Sequence, residues 1–454
     1  SIVSVRFSLV FRTWVSDKYI FILTYWLLIL DIFLLFFYGV YLNSTGVTYI
    51  FVCLKTIIAD IDFISSFIFL IDSVSSAFAT ILYVALIICF VFLKTYFEVD
   101  FFSKNICFLS AVFSQLAFGF FMTGDLLSLI FFWEWISLVS FFLIQYWSFR
   151  INTIKVSIRV FIISQVGDLL FICGSFALIS ISRTTDISTI CQLDFFLQNS
   201  TYYKNITALD LAIISLSSAI LLKSAQLVYY PWLLDAMEAP VPISSQLHSS
   251  TLVIIGFYVM FRLYPIFINN IIVKNLFILV GVCTASSMSI LAFFQFDGKR
   301  LLACSTASQL GYCIVALGFG FINEAFILLF FCCCNKAILF ATFGLLMSNN
   351  NGVSDFRLLT KNNISLFERT ALTVIVANVT VVPGAFIFHV KSLLSCGLLY
   401  TESVFTSVAI DFLSISWFFS SLYAINLIRV LFASNFVESV KTSITPSNDL
   451  GFNF

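Results

Sequence analysis

The sequence predicts an all-α polytopic membrane protein of about 12 transmembrane helices, built as inverted five-helix repeats with two discontinuous helices. Three observations carry that reading. Of 454 residues 61% are hydrophobic and 10% charged, and the mean hydropathy is +1.07, more apolar surface than a soluble core can hide. Apolar runs of about 20 residues, the length that crosses a ~30 Å hydrocarbon layer, recur along the chain. Threading those runs through a bilayer also sorts the basic residues unequally between its two faces.

In order, the runs lie near 19–41, 75–98, 105–122, 125–147, 159–181, 209–237, 243–264, 272–294, 300–321, 324–347, 368–396 and 403–433. The segment 47–72 is apolar too but carries Lys55, Asp60 and Asp62, which places it as an interfacial or re-entrant piece. No small-residue cleavage site follows the first run, the pattern of direct membrane insertion rather than a cleaved leader. Twelve spans put Arg6, Arg12, Lys18, Lys104, Arg150, Lys155, Arg159, Lys299, Arg300, Arg357, Lys361 and Lys441 on one face. Arg183, Lys204, Arg262 and Lys274 fall on the other. By the positive-inside rule both termini lie on the cytoplasm-like side, which in a mitochondrion is the matrix.

The sixth run is interrupted by Pro231 after Lys223, the eleventh by Pro383 and Gly384 before Lys391. These two runs lie an odd number of spans apart, so a repeat relating them reverses its direction across the membrane. Inverted repeats with broken helices near the midplane are a common transporter plan, the freed backbone groups being tolerated where they line a wet cavity. The expected organisation is N-terminal helices and the interfacial segment in 1–103, a first repeat in 104–242, and a second in 243–400 with its core toward 272–400. A final helix and tail occupy 401–454.

Composition excludes several classes. Lys+Arg and Asp+Glu balance at 23 each without a basic block, so nucleic acid is not an expected partner; lipid is the main solvent. Twelve cysteines form no matched pair of C-x-x-C motifs and sit mostly in apolar runs, which reads as buried thiols rather than a metal centre or disulfides. The 57 phenylalanines point to an AT-rich coding genome and hence to organellar coding.

Against this background the mid-span charges stand out, because a charged side chain at bilayer depth costs roughly 2.5–3.5 kcal/mol and usually marks an ion or proton route. Glu134, in FFWEWISLVSFFLI, sits about ten residues into its span, and its expected partner is Lys223, also about mid-span. At ~4 Å such a pair attracts by about 4 kcal/mol at an effective dielectric near 20, enough to act as a proton switch when made or broken. A static structural pair is the competing reading. Lys336, in CCCNKAILF, and Lys391, in VVPGAFIFHVKSLL, complete a row of four titratable groups in separate spans, a pattern read as a hydrated proton relay. Lys391 can alternatively snorkel from a helix end.

Asp168, in SQVGDLLFI, is either an internal carboxylate near the Glu134 pair or an interfacial one. His248 and His389 are the two histidines of the chain, each in or beside an interrupted run, and serve either as relay groups or as hydrogen-bonded packing groups. They have no nearby ligand set for a metal. Asp235 and Glu238, in WLLDAMEAPVP, mark a polar helix end or a proton mouth, and Asp297, Lys299 and Arg300 a solvated turn.

The segments KSAQ (223–226), W-x-x-D-A-M-E-A-P-x-P (232–242), HSSTLV (248–253) and KRLLACSTASQLGY (299–312) together resemble the antiporter-like subunits of respiratory complex I, the NADH:ubiquinone oxidoreductase. FFWEWISLVSFFLI, VGD (166–168) and SLYAINLIRVLF (421–432) resemble motifs of the same family, so the likeness runs from about 75 to 432. The serine-rich stretch after Lys299-Arg300 favours the chain 5 type over the sister chain 4. The resemblance implies that Glu134 and Lys223 form an input ion pair, that Lys336 is a central and Lys391 a terminal lysine, that His248 links input to centre, and that Asp168 is a carboxylate of the same polar axis. It further implies a proton-translocating subunit of the mitochondrial inner membrane, neighbouring chain 4 and other membrane-arm subunits. Flavin, iron-sulfur clusters and quinone would belong to other subunits, with no cofactor in this chain. A subunit of a cation/proton antiporter or membrane hydrogenase, or a structural subunit that moves no protons, are the alternatives.

Departures from the family pattern accompany the likeness. Cys332 stands where a histidine commonly precedes the central lysine by four residues, with Leu328 one turn earlier. Val228, Tyr229 and Tyr230 separate KSAQ from a displaced Pro231, which shifts the expected bend by about one turn. His389 matches no family position. No further spans or long lateral helix are legible after Phe432, and the N-terminal spans number one fewer than usual.

Overall fold

The computed structural model describes residues 49–60, 63–97, 103–198, 208–349, 352–355, 376, 386–400 and 404–432. Helices dominate it, as the apolar runs predict. Tyr49–Asp60 (β1) and Phe63–Asp72 (β2), rich in Ile, Phe and Val, pair as an antiparallel hairpin, Tyr49 opposite Asp72 and Asp60 opposite Phe63. The expected interfacial or re-entrant piece therefore takes extended form, which suits β-branched and aromatic residues. Its far end is fixed to the helical body: Leu70 N–H donates to Met122 (2.7 Å), and Gly124 N–H donates to Ile68 (2.9 Å).

Asp72 then caps Ser73–Tyr96 (α1), bonding the Ser75 N–H while the Ser75 hydroxyl serves its own N–H. Ser103–Phe121 (α2), Leu126–Ile144 (α3) and Ile151–Ser182 (α4) follow. Asp125 caps α3 through the Ser128 N–H (3.0 Å) and also accepts from Ile68 of the hairpin (3.1 Å). A 12-residue helix, Ile187–Gln198 (α5), is absent from the sequence reading. At 1.5 Å per residue it is about 18 Å long, too short to register as a span.

Ala208–Lys223 (α6) ends at its lysine, and Pro231–Asp235 (α7) resumes the same run. The interruption thus precedes Pro231, which opens the new helix at its first position, where a missing N–H is harmless. Between them Ala225 has φ 53°, the left-handed turn that ends the ladder. The freed groups are satisfied from the side: Trp232 Nε1 donates to Leu222 O (2.9 Å), and Gln226 Nε2 to Ser224 O (2.9 Å). A 3₁₀ turn, Ala236–Glu238, leads to Val241–Gln246 (α8), a π turn over Leu247–Thr251, and Leu252–Arg262 (α9).

Tyr264–Asn269 (α10) is a short connector to Ile271–Phe294 (α11), Gly298–Phe319 (α12) and Ile322–Asn349 (α13). Phe386–Tyr400 (α14) and Val404–Phe432 (α15) close the described chain. The α11–α12 pair approaches closely through facing glycines: a Cβ on Gly311 would lie 2.8 Å from the Ala285 nitrogen. Helix α15 packs on α11, α13 on α1 and α12, and α6 on α4.

Among the described residues eight helices are long and apolar enough to cross a membrane: α1, α3, α4, the α8–α9 run, α11, α12, α13 and α15. Each corresponds to an expected run. Helix α2 answers a ninth, and the broken α6–α7 run a tenth. Helix α14 is the second part of the eleventh. The first run, 19–41, the Pro383-Gly384 break and the tail after 432 lie outside the described residues. Cys89, Cys107, Cys304, Cys313, Cys332 and Cys333 are buried as expected, whereas Cys173 and Cys396 are exposed.

Candidate proton-relay site

The densest polar cluster lies where α3, α4 and the end of α6 meet. Trp133 and Ser137, one turn apart on α3, face Asp168 on α4: the indole N–H donates to Oδ1 (2.7 Å) and the hydroxyl to Oδ2 (2.9 Å). Lys223, the last residue of α6, places Nζ 2.8 Å from Asp168 Oδ1 and 2.9 Å from the Ser137 hydroxyl. Both charges are buried, the side chains being 4% and 1% exposed. The indole stacks on Phe171 at 4.4 Å, and Lys223 Nζ stands 5.2 Å from the centre of the Trp133 ring.

This geometry corrects the expected pairing. Lys223 is bonded to Asp168 and not to Glu134, and Asp168 is an internal carboxylate. Glu134 is half-buried, with Gln165, Asp168 and Lys223 as its polar neighbours. The reason is rotational. Glu134 follows Trp133 by one residue, about 100° around the helix, so the face that meets Lys223 belongs to Trp133 and Ser137.

His248 sits in the π turn that joins α8 to α9, a distortion often found at functional sites. Its ring lies 6.1 Å from that of Trp232, the residue that caps α6, and neither buried ring nitrogen has a hydrogen-bond partner among the described residues. The turn packs against α1, α12 and α13. On α13, Lys336 is buried and donates to the hydroxyl of Ser305 on α12. Lys391, on α14, is buried as well, so it does not snorkel. Among the described residues its Nζ has no hydrogen-bond partner, and it lies 4.7 Å from the centre of the Tyr312 ring. Tyr312 is held in turn by Ser416 on α15. Cys332, in the place of the expected histidine, is buried one turn before Lys336 on α13. His389 is exposed, whereas Lys391, two residues on, is buried.

The structure thus assembles Glu134, Asp168 and Lys223 in one cluster and Lys336, Cys332 and Lys391 in another, with His248 on a turn that touches the helices of the second. Asp235 is not a free mouth: Arg159 pairs with it at 3.0 Å. Lys299 is not a solvated turn residue either, since its Nζ donates to the Ala239 carbonyl at the end of the broken run (3.2 Å). Trp133, Ser137, Gln165, Ser305 and Tyr312 were not singled out from sequence. For the first two the i, i+4 spacing of polar groups inside an apolar run was the available signal.

Residues 123–419 match the family described as NADH:quinone oxidoreductase/Mrp antiporter, transmembrane. The chain belongs to that family. Both clusters fall inside the matched region. The chain is 28% identical over 400 residues to NAD(P)H-quinone oxidoreductase subunit 5, chloroplastic, of Piper cenocladum, covering 88% of this chain and 52% of that one. It is 32% identical over 237 residues to NADH-ubiquinone oxidoreductase chain 5 of Ceratotherium simum, covering 52% and 37%. The chain spans about half the length of the curated relatives it matches. Among solved structures, a chain of an archaeal membrane-bound sulfane sulfur reductase superposes with a TM-score of 0.81 at 17% identity, covering 95% of this chain and 86% of that one. A chain of the Mrp complex from Dietzia sp. DQ12-45-1b gives 0.71 at 19%, covering 87% and 44%. These two likenesses establish the shared fold.

Proposed function

We propose that this chain is a proton-translocating membrane-arm subunit of an NADH:quinone oxidoreductase of the complex I type. The observation that carries the proposal is the buried Lys223–Asp168 pair beside half-buried Glu134, placed where a membrane helix breaks. Family membership and the chain 5 relatives support it.

In this reading Lys223 exchanges between Asp168 and Glu134. Each exchange alters the field felt by His248 and by the buried lysines 336 and 391, which pass protons through water. A buried ion pair gains little stability over an apolar replacement, so its presence at bilayer depth fits a switching role better than a structural one. Electron transfer takes place in partner subunits, which hold flavin, iron-sulfur clusters and quinone, while this chain holds no cofactor or metal. Its neighbours are other membrane-arm subunits, the chain 4 type first among them. The two halves, 104–242 and 243–400, act as inverted repeats around the two helix breaks.

Phenylalanine bias favours organellar coding. We assign the protein to the mitochondrial inner membrane with both termini in the matrix, on the strength of its basic-residue asymmetry.

The test is proton pumping per NADH oxidised in sealed membranes, comparing native complex with Lys223→Ala and Lys391→Ala. Pumping that falls in both assembled variants supports the relay. Native ratios in both would leave a structural subunit. Pumping that follows an added cation gradient without NADH would instead indicate a cation/proton antiporter.

A further inference from the structure

Asp168 is surrounded by donors from three helices. Its Oδ1 faces Lys223 Nζ (2.8 Å) and Trp133 Nε1 (2.7 Å). Its Oδ2 faces the Ser137 hydroxyl (2.9 Å) and Gln165 Nε2 (3.1 Å). A carboxylate offers about four lone-pair sites, so this one is filled. Three of the donors are committed N–H groups. The fourth, the Ser137 hydroxyl, also lies 2.8 Å from the Trp133 carbonyl and can place its single proton on either. Asp168 is therefore built as an anion: to accept a proton it would have to turn a donor away.

Glu134 is built differently. It is half-buried, and its polar neighbour is Gln165, the residue that donates to Asp168. Gln165 stands one turn before Asp168 on α4, so one side chain spans both carboxylates. An amide carries two N–H donors at one end and an acceptor oxygen at the other. It can serve two anions at once, or keep Asp168 on its nitrogen while its oxygen receives an O–H from a protonated Glu134.

Two carboxylates facing one ammonium leave one negative charge without a fixed partner. We infer that the exchangeable proton of this cluster belongs to Glu134, that Asp168 stays ionised, and that Gln165 is the positioning residue coupling Glu134 to the Lys223–Asp168 pair. The proton arrives from water as hydronium, binds a Glu134 oxygen and leaves by the reverse step, with no other bond made or broken. Around α4 the remaining charges are Lys155, Arg159, Arg183, Asp210, Asp235 and Glu238. Arg159 and Asp235 pair with each other, and Lys155, Arg183 and Asp210 lie toward helix ends.

This inference rests on the proposed function, and its test separates the two. In the assembled complex, infrared pH-difference spectra should show one carboxylic-acid C=O band that Glu134→Gln removes and Asp168→Asn leaves in place. Gln165→Met, close in shape but without the amide, should move the pH profile of pumping to alkaline values by about one unit, a tenfold change in proton affinity. Gln165→His, which again offers a donor and an acceptor, should restore most of the shift. A band lost in Asp168→Asn and kept in Glu134→Gln overturns the inference even if no Gln165 variant assembles. So does an unmoved pH profile in Gln165→Met alongside loss of pumping in Lys223→Ala, which would leave the proposed function standing. Native pumping in Lys223→Ala and Lys391→Ala would remove the proposed function itself.

Discussion

Replacing Asp168 by Asn tests the pairing most directly, because it keeps the shape of the side chain and removes only its charge. At 2.8 Å, two unit charges attract by about 6 kcal/mol at an effective dielectric near 20. Removing one partner of a buried pair typically costs ~3–5 kcal/mol, since the other charge is left uncompensated. Here a second carboxylate is at hand. If Lys223 can transfer to Glu134, the single Asp168→Asn change costs less than that range, and Glu134→Gln alone costs under about 1 kcal/mol, the Asp168 bond being intact. The double variant then bears the whole penalty, giving a non-additive coupling on the order of 1–3 kcal/mol. The assay is the denaturation midpoint of purified complex for the four members of the cycle, alongside NADH-driven acidification in proteoliposomes. If Glu134→Gln destabilises more than Asp168→Asn, Lys223 belongs to Glu134 and the pairing is wrong. If the two changes simply add, the exchange of Lys223 between them is refuted.

Trp133→Phe keeps the stack on Phe171 but removes the indole donor from Asp168; a hydrogen bond to a charged group is worth about 1.5–3 kcal/mol, and a drop in Tm of the purified complex should reveal that loss. Gly311→Ala should cost about 1–3 kcal/mol by overpacking, because the new Cβ would meet backbone of α11 rather than a yielding side chain, and reduced yield of assembled complex is the readout. The Arg262 guanidinium grips both oxygens of Asp72, with Nη2 at 3.0 Å from Oδ1, and its Nε bonds Tyr258 OH at 2.8 Å. Arg262→Met should therefore free the hairpin end from α9, seen as faster amide exchange across 63–72 with little change in α11 or α12.

Helix placement was legible because the bilayer demands runs of one length, and the broken run at 209–237 announced itself through a lysine and a proline in apolar surroundings. Azimuth was not legible. Sequence leaves Asp168 either internal near Glu134 or interfacial, and which carboxylate meets Lys223 depends on how α3 and α4 are rotated, a property of packing. The break was misplaced for a related reason: Pro231 looks like an interruption, yet proline is well suited to a helix start, and α6 actually ends at Lys223, just before the left-handed Ala225. Lys391 could not be told from a snorkelling residue until Tyr312, remote in sequence, was seen beneath its ammonium. The hairpin was hidden because an apolar segment of its length satisfies a strand pair as readily as a helix.

In the proposed exchange, the location of the ion pair at the end of α6 lets Lys223 change partners without disturbing the fold. A lysine in mid-helix moves only within its rotamers, but α6 ends at Lys223, and the carbonyls on either side of it, of Leu222 and Ser224, are held by the side chains of Trp232 and Gln226. Gln226 anchors the loop from a second direction by accepting from Thr284 on α11 (2.8 Å). The backbone around the break is thus satisfied in its irregular form, so a shift of Lys223 from Asp168 toward Glu134 need break no main-chain hydrogen bond. The proposed shift also has a route onward. Trp232 binds the Leu222 carbonyl, one residue before the lysine, and its other neighbour is His248 in a π turn that packs on the helix carrying Lys336. The same indole therefore touches the hinge of the switch and the imidazole expected to pass its effect on. Trp232→Phe keeps the ring beside His248 but releases the carbonyl. It should weaken coupling between NADH oxidation and pumping while leaving the Lys223–Asp168 pair assembled, and unchanged coupling in that variant would show that the break and the histidine act independently.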